Sequence, residues 1–205
     1  MDTLLVFLIV FAPFVWYIWR VLRFTKDTIG ENSPLKVSRT FITTPWKYFL
    51  QFEGLFTYYL ILVGSFFFKL ALFMHISYTE DYPLLVRLWF LAVGLVAMGF
   101  GLLVVALDIN HWQYVEGLVI ETFPEKHELE LTFTDKVLRL REGDIEKVHV
   151  YHNNSIKFPL AYMHYFLRTG DEFILSPKTE GYWVIEQYFP NLSTEYTHRR
   201  FPFIR

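Results

Sequence analysis

The chain has 205 residues, 53% hydrophobic and 20% aromatic, which is too apolar for an ordinary soluble domain and suits a protein that also meets a bilayer. Its 19 basic and 21 acidic residues give a net charge of −2, with no bias that would select nucleic acid or an acidic ligand. The absence of cysteine excludes a disulfide framework, a thiolate metal site and a thiol nucleophile.

Three apolar runs predict membrane spans at about 4–22, 54–76 and 85–109, within a transmembrane region of residues 1–110. The first lacks a basic leader and ends in Trp16, Tyr17, Trp19, Arg20 and Arg23. Those are interface anchors rather than a cleavage site, so it reads as an uncleaved span kinked at Pro13. In residues 24–53, Gly30 to Pro34 is a turn by composition. Trp46, Tyr48, Phe49 and Phe52 then accompany Lys47 and Glu53, which suits either a headgroup-level segment or a loop packed on the protein itself.

The second span carries one charge, Lys69. A lysine inside a span is a functional-site candidate, for an ion path or a buried pair. This one lies close enough to the end to snorkel towards Glu80 or Asp81, and that is the stronger reading. The acidic loop Ser77 to Pro83 is short, so spans two and three form a helical hairpin. In the third, Arg87 and Asp108 bracket twenty uncharged residues. Ala97 and Gly101 are a small-xxx-small pair for close helix packing, against span two in preference to a second copy in a homo-oligomer. Arg20, Arg23, Lys26, Lys36, Arg39 and Lys47 surround the first loop, whereas Arg87 alone flanks the second. The positive-inside rule then places the first loop and the C-terminal domain in the cytoplasm and the N-terminus outside.

From residue 111 the pattern changes to short alternating runs. Strands are predicted at about 113–123, 127–134, 136–141, 145–152, 161–168 and 171–175, with a seventh at 156–160. Leu129, Leu131 and Phe133 alternate with Glu128, Glu130 and Thr132, and Val148 and Val150 with His149 and Tyr151. The connections are turns by chemistry, among them Glu142-Gly143-Asp144 and Thr169-Gly170-Asp171, so the strands form an antiparallel meander. Ser176 and Pro177 predict the start of one closing helix over 178–188, ended by Pro190. Residues 111–190 are thus a β domain, and 191–205 a basic-aromatic tail.

The runs GLVIETFPEKHELELTF, DIEKVHVYHN and YMHYFLRTGDEFILSP, with the closing helix and the FPFIR end, resemble the pleckstrin-homology-like (PH-like) domain of bacterial membrane proteins. The resemblance covers residues 112–205 and is one of pattern. It implies three transmembrane helices followed by a mainly antiparallel β PH-like domain closed by one helix, in a bacterial cytoplasmic membrane. Phosphoinositide-binding members use a basic loop between the first two strands. Here that loop is Phe123-Pro124-Glu125-Lys126-His127, which departs from the pattern.

No phosphate loop, nucleophile elbow or HExxH motif is present, and neither a catalytic nor a cofactor site is expected. His149 and His152 are three apart, which on a strand sends them to opposite faces and argues against a metal. Glu128 and Glu130 read as a polar outer face. The tail carries His198, Arg199, Arg200, Phe201, Phe203 and Arg205. Such a tail rests on anionic headgroups, adds a strand to a partner, or covers its own domain's edge. The expected function is a non-enzymatic, membrane-anchored interaction or scaffold module with the lipid bilayer and a protein partner. The alternatives are a tethered DNA-binding regulator of the LytTR type, which the weakly charged strands disfavour, and a small transporter or channel subunit built on Lys69.

Overall fold

The computed structural model of the chain describes residues 15, 18, 19, 21–23, 25–73, 83–155 and 159–205. The first expected span therefore lies mostly outside the described residues, as do Glu80, Asp81 and most of the expected seventh strand. Among the described residues two helices are long and apolar enough to cross a membrane, α2 (Phe52–Phe73) and α3 (Pro83–Val115). They pack antiparallel as a hairpin, with leucines and aromatics such as Leu62, Phe66, Leu88 and Trp89 exposed on its outside.

Among the described residues eight strands form two four-stranded sheets. One has the order β1 (Thr40–Ile42), β2 (Val119–Phe123), β3 (Glu128–Thr132), β4 (Val137–Leu140), all antiparallel. The other has the order β7 (Glu172–Leu175), β6 (Ala161–Leu167), β5 (Ile145–His152), β8 (Thr194–His198). In it β5 and β8 are parallel, and the other pairs are antiparallel. Leu129, Leu131 and Val148, from the predicted alternation, join Tyr165 and Phe173 in one buried core. The short helix α4 (Val184–Tyr188) adds Val184, Ile185 and Tyr188 to it.

Three expectations are corrected. Residues 113–115 are not strand but the last turn of α3, which ends only where Gly117 takes a left-handed conformation (φ +69°). The closing helix begins at Val184 rather than 178. Its expected first half is a series of turns, in which the Ser176 amide bonds the Thr179 hydroxyl and the Lys178 amide the Ser176 hydroxyl. The β domain, finally, is not confined to residues 111–190. The first loop supplies β1 and the short helix α1 (Pro45–Phe49), capped by Thr44, and Tyr48 is completely buried. The Arg39 amide bonds the buried Thr122 hydroxyl, and the Tyr188 hydroxyl bonds the Pro34 carbonyl. This loop packs on the protein itself through Tyr48, while Trp46 stays exposed.

Gly181 explains the late helix start. Its φ of +77° disfavours any other residue, and a Cβ there would lie 2.6 Å from the Phe41 ring. Gly181→Ala should therefore lower stability by about 1–3 kcal/mol. Thermal unfolding of the full chain in detergent checks this, and an unchanged midpoint would show that β1 is dispensable to the core.

Candidate functional site at the foot of the hairpin

Close backbone contacts set the register of the hairpin. A Cβ on Gly64 would lie 2.6 Å from the Met98 amide nitrogen, and one on Gly94 2.8 Å from that of Phe68. Gly101 sits over Ile61 and Thr57. This alignment brings Gly54 level with about Ala106, and Phe73 level with about Arg87. The apolar part of α2, Gly54–Phe73, has 20 residues. At ~1.5 Å per residue it matches a ~30 Å hydrocarbon core. Beyond Ala106, α3 continues alone for two to three turns into the β domain.

That extension carries the site. The Lys178 ammonium meets Asp108 Oδ2 at 2.6 Å, and Asp108 is only 5% exposed. A buried carboxylate and a half-buried ammonium this close offset each other's desolvation, whereas the carboxylate alone would be costly. Tyr48, Ser176 and Thr179 are buried around them. Burial pushes the Tyr48 phenol above its ordinary pKa, the Ser176 hydroxyl pulls it partly back, and the Asp108 carboxylate adds to the rise. Tyr48 and Phe49 also pack on Trp112 with ring centres 5.1 and 5.5 Å away. The side-chain amide of Gln51 donates to the Lys178 carbonyl at 2.9 Å. Both ends of the hairpin's foot are thereby tied to the turn after β7.

The C-terminal tail closes the other side. Asn110 bonds both backbone groups of Ile204, accepting from its amide at 2.7 Å and donating to its carbonyl at 3.1 Å. His111 Nε2 lies 2.7 Å from the Pro202 carbonyl oxygen, and its ring packs edge-on against Tyr162. Tyr162 stacks on Tyr151, which stacks on His149. The Arg199 guanidinium lies 4.1 Å over Tyr151 and donates to the Tyr162 hydroxyl at 3.0 Å. Burial raises the Tyr162 phenol, and Arg199 draws it back.

The residues singled out in the sequence fall in different places. Of the tail group, His198 pairs with His152 in the β5–β8 ladder and Arg199 is held by its aromatic column. Phe203 is half-buried, while Arg200, Phe201 and Arg205 are exposed. The edge of β5 is thus covered by the chain's own β8. Gly101 packs on α2 at Ile61 and Thr57, and the closest backbone approach is Gly64 against Gly94. Lys69 is exposed, about one turn inside the far end of the hairpin core, and joins no ion pair among the described residues. His149 and His152 do face opposite ways, one bonding Thr197 and the other packing on Tyr196. Glu128 and Glu130 pair with Arg141 and Arg139 across the β3–β4 ladder, each at 2.7 Å.

The Asp108–Lys178 pair was not foreseen, because seventy residues separate its members and Lys178 stands in what reads as a helix. A lone acid just past an apolar run was the one available signal.

These features define a class: an apolar two-helix hairpin whose second helix is built into a two-sheet β domain. In comparison with known proteins, no family model, no curated protein and no solved structure matches the chain.

Proposed function

We propose that the chain is a membrane-anchored cytoplasmic PH-like module that binds a protein partner or assembles a membrane complex, without catalysis of its own. The observation that carries this reading is α3, one unbroken helix from the apolar hairpin to the domain core. A domain fixed in this way holds a constant height and orientation over the bilayer, which suits a docking platform. Consecutive antiparallel strands β1 to β4 in one sheet and β5 to β7 in the other, with a helix after β7, support the PH-like reading, and β8 is added to β5 in parallel. The expected span at 4–22 adds a third helix and puts the N-terminus outside. The end strands β1, β4, β7 and β8 offer edges to which a partner segment adds a strand.

The cysteine-free sequence makes the topology directly testable. Glu142→Cys, in an exposed turn, should react with a membrane-impermeant maleimide only after cells are permeabilised. Labelling of intact cells would reverse the orientation. Purification of the full chain in mild detergent should recover a stoichiometric protein partner. A chain that returns alone and monodisperse would overturn the scaffold role.

A further inference from the structure

We infer that the end of the tail is a bilayer contact in its own right, in which Arg200, Phe201 and Arg205 press on the anionic headgroups of the membrane that the hairpin enters. This rests on reading α2 and α3 as a membrane-spanning hairpin. The depth follows from the helix register. Asn110 and His111 lie four and five residues past Ala106, so they stand ~6–8 Å beyond the hydrocarbon edge, within the headgroup layer. Their bonds to Pro202 and Ile204 hold the tail at that height.

The side chains sort accordingly. Pro202 and Ile204 turn inward and are buried, whereas Arg200, Phe201 and Arg205 turn outward. Nearby bases are already neutralised, Lys178 by Asp108 and Lys47 by Glu180. Arg200 and Arg205 pair with no side-chain carboxylate among the described residues, so their guanidinium groups remain for an external anion. Phe201 is 38% exposed beside the Arg200 guanidinium, 5.7 Å from its ring centre, an amphipathic pair suited to an interface. At a similar height α1 presents Trp46, 76% exposed, although its neighbours Tyr48 and Phe49 are packed on Trp112. An aromatic ring and a cation at one level, on an element locked to the spanning helix, match the composition of membrane-interface belts.

The test uses the full chain in liposomes, carrying a polarity-sensitive dye on Phe201→Cys so that the dye stands in for the ring. With phosphatidylglycerol in a phosphatidylcholine bilayer, emission should shift to the blue. A headgroup spin label should quench it, and high salt should reverse both effects. Replacing both bases, Arg200→Glu with Arg205→Glu, should lower the ratio of docked to undocked tail by at least about 25-fold. Both positions are exposed and Arg199 is untouched, so an unchanged thermal midpoint would show that the variant folds. A dye that reports water in both lipid compositions, with the hairpin inserted, would overturn the inference. So would equal burial with and without anionic lipid. Failure of the chain to insert into any bilayer would instead bring down the anchored reading, and the tail contact with it.

Discussion

Replacing Asp108 by Leu while Lys178 is kept should destabilise the full chain by about 3–5 kcal/mol, because an ammonium on a side chain only 16% exposed loses its counter-charge. For a chain of this size, that is a fall of roughly 6–20 °C in the thermal midpoint. The double change Asp108→Leu with Lys178→Met should recover most of the loss, since two apolar side chains of similar volume need no charge compensation. The direct contact at 2.6 Å and the low exposure of the two side chains, 16% and 7%, separate this pair from Lys47–Glu180, which is more exposed and worth far less. Thermal unfolding of the two singles and the double in detergent forms the cycle. If Asp108→Leu and the double variant fall equally, the pair does not couple α3 to the domain.

The hairpin should be as sensitive at one residue. Gly64→Leu should force α2 and α3 apart, because its Cβ would meet the Met98 amide nitrogen and the Gly94 carbonyl, and backbone cannot rotate away as a side chain can. Overpacking of ordinary cores costs about 1–3 kcal/mol, and this contact should exceed that range. Gly101→Ala should be milder, since its nearest neighbour is the Ile61 side chain. Gly99→Leu should be neutral, because nothing lies within 4 Å of its added Cβ. Ser65 and Met98 touch across the hairpin at 3.8 Å, so Ser65→Cys with Met98→Cys provides a cross-linking readout. Cross-linking should fail with Gly64→Leu and persist with Gly99→Leu. Persistence in both would mean that the helices are not held by this crossing.

The sequence by itself determined the local content of the chain. Uninterrupted apolar runs cannot be solvated, so α2 and α3 were legible from hydropathy, with Arg87 and Asp108 marking the latter's apolar limits. Period-two alternation fixed which side chains of β3 and β5 enter the core, and β5 fell at its predicted bounds because Gly143 and Asn153 end it on both sides. Non-local choices were not legible. Nothing in residues 38–42 distinguishes a loop from an edge strand until Thr122 and the β2 backbone accept it. The Thr194–His198 stretch likewise becomes a strand only because β5 has a free edge beside it. Only the tertiary structure decided that Asp108 would meet Lys178, and that Asn110 and His111 would hold the tail. A polar side chain near a span is satisfied by whichever donor the fold brings within ~3 Å, and chain order carries no record of that distance.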